Sequence, residues 1–484
     1  VRWSFGDISQ TTRRRALICL SVVMLAFCVR FLTGQFIGQH IDNPAWFPYG
    51  IYAIFDNQAQ DILDGKTDAF WVEDALANPR SATAAVYPPG YSLWLAFIYR
   101  MSGVRSALTV ESVQLVLDAL SVLLIIGVGA SAYGWRTGFV AGVLASLSPL
   151  LAFYGATPLA DAPTMWLVLG GAWMLLLAAK RLNWRWALGA GVLIGASCWL
   201  RANALLLGVW CALALVLFVK ASWRVRFRLS GVFTLGVLLL VAPVIVRNSR
   251  AFHAFVPGGM GFGTNLWEGL GETSRAAEFG AVIGDANVLE QERATLQLPP
   301  GAALELYWPD GLERDRARMR KALSVIKAHP FWFAGVMFGR MAGMLKYAGE
   351  PVPYFGTAGI NVTSKKCLPP VWQGGVLAAL VNLLGMLQSV LRYVLLPLML
   401  LGTFLALGRD RAASALILTI ILYYLIVGSI LHTELRYGLP MQALLFVFAG
   451  LAVVKIVWSL KSGVWSQKQT LSSDSRLQTP DSRL

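Results

Sequence analysis

Charge is scarce in this chain. Asp, Glu, Lys and Arg make up 14% of its 484 residues against 56% hydrophobic residues, and the mean hydropathy is +0.59. A soluble protein of this size cannot keep so much apolar surface out of water, so the composition excludes that class and points to an all-α integral membrane protein. Thiols and imidazoles are few as well. The five cysteines (Cys19, Cys28, Cys198, Cys211 and Cys367) stand at no metal-ligand spacing and four fall in apolar runs, so neither a disulfide framework nor a zinc centre is implied. Four histidines show no catalytic dyad. Acids are outnumbered, 26 against 41 basic residues, for a net charge of +15. The basic residues cluster at helix ends, which favours membrane orientation over nucleic-acid binding.

Apolar runs near the roughly 20 residues that cross a bilayer's hydrocarbon core recur along the chain. The first, Ala16 to Phe36, follows Arg13-Arg14-Arg15. Its length, its internal Arg30 and the lack of a small-residue cleavage site read as a retained helix with a cytoplasmic N-terminus. Further spans are predicted near 112–133, 138–155, 163–179, 186–200, 203–219 and 229–246. Basic groups fall on one side of them: Arg136; Lys180, Arg181 and Arg185; then Lys220, Arg224, Arg226 and Arg228. Gly90 to Arg100 is half a span long and reads as an interfacial or re-entrant helix, with a full span as the close alternative. Four or five more apolar segments between His329 and Leu460 bring the expected total to about twelve spans. Lys365-Lys366 assigns the ambiguous 349–393 stretch to the cytoplasmic side. The expected organisation is one transmembrane domain over 1–460, with outer loops at 37–91 and 247–330 and a disordered cytoplasmic tail at 461–484. A charged helix opened by Pro309 is expected from Asp310 to Lys327.

The few acids are concentrated. Asp42, Asp56, Asp61, Asp64, Asp68, Glu73 and Asp74 crowd the first loop, which ends in Tyr87-Pro88-Pro89-Gly90-Tyr91. Paired prolines fix the chain at a helix's first turn, and the flanking tyrosines suit an interface or stacking on a sugar ring. Helix over Phe55 to Gly65 would set Ala59, Ile62 and Leu63 along the membrane, with Asp56 near the helix start. An ionised carboxylate there can take the proton of an incoming hydroxyl, although any one of these acids also reads as solvated surface charge. Asp161, before Pro163 at a span's mouth, reads equally as a helix cap and as a functional acid. Arg201, between two spans on the same side, is a helix-end anchor or a bidentate phosphate ligand. His432 to Tyr437 brings Glu434, Arg436 and Tyr437 to the start of the last span. Arg30 and Asp118 lie inside spans, where charge is costly, and with Gln114 read as holding the bundle together.

Taken in order, these pieces resemble the GT-C superfamily of membrane glycosyltransferases, in particular bacterial family-39-like enzymes related to protein O-mannosyltransferases and lipid A aminoarabinose transferases. The resemblance runs from Ala16 to Lys455 through Ala59 to Gly65, Tyr87 to Tyr91, Ser148-Pro149 to Asp161, and Arg201. It continues through Arg247-Asn248, Phe255 to Pro257, Gly263 to Leu266, Ala328-His329-Pro330 and Arg436 to Pro440. It implies a multi-pass enzyme of the bacterial plasma (inner) membrane that moves a sugar from a polyprenyl-phosphate donor to an acceptor glycan, lipid or protein hydroxyl on the outer face, with inversion. Asp56, Asp42 and Asp161 are then the candidate catalytic acids. Tyr87, Tyr91, Arg201, Arg247, Asn265, Glu434, Arg436 and Tyr437 are the candidate substrate-binding residues, and a divalent metal ion is a possible cofactor. One departure stands out. The family register for the first-loop acid lands on Ile51, with Phe55 as its aromatic, so the acid has moved to Asp56 or Asp42 or the chain is repurposed. Asp56 is favoured as the base because it lies about one helical turn away. Asp161 would then orient the sugar or acceptor, or help hold a metal ion. The competing classes are a lipid or sugar transporter or flippase, expected to place acids deep within facing helices, and a non-catalytic scaffold.

Overall fold

Long apolar helices, and the residues that stop them, set the architecture. The computed structural model describes residues 10–39, 41–42, 47–66, 72–298, 303–345, 374–431 and 435–474. Among these the only β pairing is an isolated bridge between Glu305 and Trp308. After α1 (Gln10–Gly38), the first loop folds as α2 (Phe47–Leu63), α3 (Pro79–Val86) and α4 (Gly90–Ser102). α5 (Ala107–Tyr133) starts at Ser106, whose hydroxyl accepts from the Leu108 amide at 3.2 Å. α6 (Trp135–Ser146) and α7 (Pro149–Ala156) form one path bent by 65°, with Ser148 capping α7 and Pro149 at its first position. Then come α8 (Asp161–Arg181), α9 (Trp184–Leu200), α10 (Leu207–Phe218) and α11 (Trp223–Ala251). The second loop carries α12 (Phe262–Gly271), α13 (Ala276–Phe279), α14 (Asp285–Thr295) and α15 (Gly311–Ala328). The chain closes with α16 (Pro330–Leu345), α17 (Gly375–Arg409), α18 (Arg411–Ile430) and α19 (Leu439–Asp474).

Among the described residues, six helices are long and apolar enough to cross a membrane, or eight if each bent pair counts as one span, against the expected twelve. α4, α9, α10 and α16 hold 13, 17, 12 and 16 residues, short of the roughly 20 a straight span needs. α19 runs on as helix to Asp474, past the expected start of the tail. Lys365-Lys366 and most of the 349–393 stretch lie outside the described residues.

Lipid tails are as apolar as leucine, so helices here associate by close packing and polar contacts rather than by escape from water. α9 and α11 meet at Gly191, where an added Cβ would lie 2.0 Å from the Phe233 carbonyl oxygen. The buried polar contact is Arg30–Asp118. Arg30 Nε lies 2.6 Å from Asp118 Oδ2, both side chains are fully buried, and Trp166 Nε1 donates to Asp118 Oδ1 at 2.7 Å. Arg30 also donates to the Ser146 carbonyl at 3.3 Å, so this one pair ties α1, α5, α6 and α8, the bundle-holding role expected of it. The helices leave two distinct ends. At one, Arg15, Lys180, Arg409 and Lys455 gather, and at the other the two loops meet.

Candidate active site

The loop-covered end is built around the Tyr87 to Tyr91 turn. Pro88 and Pro89 are buried, and α4 begins at Gly90 directly against the last turn of α9. A Cβ on Gly90 would lie 2.5 Å from the Trp199 carbonyl oxygen, so only glycine permits this approach. The contact brings the first loop to Arg201, which ends α9 with its amide donating to the Ser197 carbonyl at 3.0 Å. Tyr91 is wholly buried and donates to Gln114 Oε1 at 2.7 Å, while Gln114 Nε2 donates to the Thr157 carbonyl at 2.9 Å. That chain of bonds fixes α4 to α5 and to the stretch leading into Asp161.

Asp161 stands first in α8, yet it does not cap the helix. Ala160 holds the cap position with no side-chain bond, and the carboxylate instead accepts from Arg201 Nη1 at 2.6 Å with its side chain 1% exposed. Arg201 in turn stacks on Tyr437, its Cζ 4.4 Å from the ring centroid, and the Arg436 Cζ lies 5.3 Å from the same ring. Arg436 is buried. Tyr87 belongs to the same group. Burial pushes its hydroxyl pKa up, the charges of Asp285 and Tyr437 add to that, and Arg201 and Arg436 oppose it. Asp161, Arg201, Arg436, Tyr437 and Tyr87, nominated separately from the sequence, therefore meet at one place. Two guanidiniums flank one aromatic ring beside a buried carboxylate, and planar guanidiniums suit an anion that offers several acceptor oxygens, as a phosphate does.

The first-loop acids are arranged differently. α2 begins at Phe47, so Asp56 sits mid-helix rather than near a helix start. Arg105 Nη2 lies 2.6 Å from its Oδ2, Arg105 Nε 3.2 Å from both oxygens, and the Tyr99 hydroxyl donates to Oδ1 at 2.6 Å. Tyr99 also shares a 2.6 Å bond with the Tyr52 hydroxyl. Burial, and then the bonds to Asp56 and Tyr52, raise the Tyr99 pKa, which keeps it a donor to the carboxylate. Asp42 is exposed, and its charge acts on Tyr52. None of the hydrogen-bond or ion-pair partners of Asp56 belongs to the Asp161 group. Its neighbour Phe55 does reach the turn, with ring centroids 5.5 Å from Tyr87 and 5.1 Å from Tyr91. Asp61 pairs with Lys66 and Arg80, and Asp68 and Glu434 lie outside the described residues.

Arg247 is almost fully buried and donates to the Ala84 carbonyl at 2.7 Å, the Ala85 carbonyl at 3.3 Å and Asn248 Oδ1 at 2.9 Å. It splices α11 to the end of α3 rather than joining the Asp161 group. Asn265 Nδ2 donates to the Gly261 carbonyl at 2.6 Å inside the second loop. Sequence reasoning missed Arg105, Tyr99 and Asp285. Asp285, exposed at the start of α14, acts electrostatically on both Tyr87 and Tyr307, bringing the second loop to the turn. Among the described residues no three His, Cys, Asp or Glu side chains are placed to hold a metal ion.

Residues 86–246 match the family model for dolichyl-phosphate-mannose-protein mannosyltransferase. This segment contains the turn, Asp161 and Arg201. The oligosaccharyltransferase of Archaeoglobus fulgidus, in a complex with Zn and sulfate, superposes with a TM-score of 0.50 at 12% identity over 92% of this chain and 49% of that one. The fold is GT-C-like. Two further structures resemble this GT-C-like chain more distantly. The A. fulgidus oligosaccharyltransferase AglB with an inhibitory peptide and a dolichol-phosphate has a TM-score of 0.45 at 14% identity, over 96% and 52% of the two chains. ArnT from Cupriavidus metallidurans bound to undecaprenyl phosphate has a TM-score of 0.34 at 14% identity, over 93% and 78%. The chain spans about half the length of the archaeal structures it matches. No curated protein matches it by sequence.

Proposed function

We propose that this chain is a glycosyltransferase that moves a hexosyl or pentosyl unit from a polyprenyl-phosphate donor to an acceptor hydroxyl at the loop-covered end. The observation that carries this reading is the Asp161–Arg201–Tyr437–Arg436 group beside the Tyr87 turn. The acceptor oxygen attacks the anomeric carbon opposite the phosphate. The bond from that carbon to the phosphate oxygen breaks, the lipid phosphate leaves with the electron pair, and the configuration inverts. Arg201 and Arg436 stabilise the charge that grows on the phosphate. Asp161, in contact with Arg201 at 2.6 Å, is the base we favour, with Asp42 as the second choice. Asp56, with both oxygens engaged by Arg105 and Tyr99, is assigned a positioning role in this reading.

The donor class is supported by the matched family, whose description names a dolichyl-phosphate sugar. An open apolar hollow of about 450 Å³ on the exposed face of α11, lined by Leu235, Leu239, Pro243 and Val246, is available to a prenyl chain. In this reading the second loop covers the site, the basic end faces the cytoplasm as the positive-inside rule favours, and the site lies on the outer face of a bacterial plasma membrane. A transporter reading draws on the intramembrane acid Asp118, but that acid is closed into a pair with Arg30. The test uses a polyprenyl-phosphate sugar labelled in both lipid and sugar, incubated with purified protein and a mixed acceptor extract. Transferase activity releases free lipid phosphate in step with sugar appearing on an acceptor. Movement of intact donor between bilayer leaflets without cleavage would instead support transport.

A further inference from the structure

The basic end holds a second constellation that glycosyl transfer leaves unused. A cavity of about 420 Å³ opens among α1, the α5–α6 turn, the end of α17 and α19. It is lined by Arg15, Arg136, Arg409 and Lys455 together with Trp135 and Trp458. Arg15 Cζ lies 5.3 Å from the Trp135 ring centroid and Arg136 Cζ 5.5 Å from that of Trp458. Among the described residues none of these four cations forms an ion pair. The adjacent acid, Asp410, is held by Lys180 at 3.4 Å and caps α18 through the Ala413 amide at 3.1 Å.

Orientation alone needs basic residues on this side of the membrane, and it does not need them to converge. Four like charges from four separate segments repel one another around one cavity, and an anion relieves that repulsion. Two guanidiniums stacked on indole faces are held in place with forks that match phosphate oxygens. Tryptophans at a helix end lie at headgroup depth, so the anion that reaches this cavity is at the bilayer surface.

We propose that the basic end binds the phosphate group of an anionic phospholipid between Arg136, Arg409 and Lys455. A soluble phosphate offers the same chemistry, so the test separates the two sources. The full chain is placed in phosphatidylcholine nanodiscs, in discs doped with phosphatidylglycerol, and in phosphatidylcholine discs with inorganic phosphate, and its Tm is read. Phosphatidylglycerol is expected to raise the Tm of the wild type. The combined Arg409→Gln and Lys455→Gln variant should lose at least half of that rise. Lys220→Gln with Arg224→Gln, on the same side but away from the cavity, should keep it. A second reading holds if the variants start from a lower Tm: native mass spectrometry of the detergent-purified wild type should retain phosphatidylglycerol that the cavity variant lacks. Equal loss in both variant pairs, or no rise in the wild type, overturns the site. An equal rise with inorganic phosphate alone overturns its assignment to a lipid.

Discussion

Arg201 does three things at once: it holds Asp161, stacks on Tyr437 and carries a fixed charge. Lysine preserves only the charge, because an ammonium has neither the planar fork nor the stacking surface. Arg201→Lys is therefore expected to lower kcat about 100-fold, the scale of losing one preorganised anion contact, with little change in Tm. A lysine variant as active as wild type would remove Arg201 from the phosphate site. Arg30–Asp118 makes the opposite kind of prediction, on stability. Asp118→Leu leaves a buried guanidinium without its carboxylate and should cost about 3–5 kcal/mol, while Arg30→Met combined with Asp118→Leu should recover most of it. Thermal unfolding in detergent checks both, and a double variant no better than the single one would show that the pair is not a closed unit. At this scale the sequence nominated residues but not partnerships. Asp161 and Arg201 each stood out by position, yet their 2.6 Å contact joins residues 40 apart. Asp56 drew attention as an acid in the right loop, and nothing local announces Arg105, 49 residues on, as the group that engages it.

The elements divide between those written into local sequence and those decided by packing. α15 was legible almost to its ends because Pro309 and a charged helical pattern mark it, and the structure sets it at Gly311–Ala328. α4 was legible as half a span, and it is a 13-residue helix. The span count was not legible. Whether a 12-residue helix such as α10 crosses a bilayer depends on its neighbours rather than on its own hydropathy. The fold of the second loop was hidden too, since it is stapled by Glu292, which accepts from Arg314 at 2.6 Å and from Arg318 at 2.7 Å. Burial raises the Glu292 pKa, and the bonds from Arg318 and Arg314 outweigh that and hold it below its ordinary 4.5. A carboxyl depressed by folding stabilises the loop above its unfolded pKa, and that contribution is lost as pH falls through the folded value. Hydrogen-exchange protection across α14 and α15, each rate taken relative to the intrinsic rate at that pH, should thus fall below about pH 4.5 in the wild type. In Glu292→Gln it should already be low at neutral pH and lose this acid step. An identical pH profile in the two proteins would mean the staple contributes nothing.

On the scale of the whole molecule, polarity is segregated between the two ends. One end gathers four cations around a cavity, none of them in an ion pair among the described residues, and the other gathers two loops around a buried acid, two arginines and two tyrosines. The alternation of basic residues along the sequence anticipated which connections share a side. The meeting of both loops at Tyr87 did not follow from it, because it depends on Gly90 against α9 and on Arg247 reaching the end of α3. The most direct measurement is transfer of radiolabelled sugar from membrane-extracted polyprenyl-phosphate donors by purified protein, comparing wild type, Asp161→Asn and Asp56→Asn variants of equal folded yield. A transferase with its base at Asp161 will transfer sugar as wild type, lose about 100-fold or more in Asp161→Asn, and stay within about tenfold in Asp56→Asn. Undiminished transfer by Asp161→Asn, or no transfer by wild type across several donors, would contradict it.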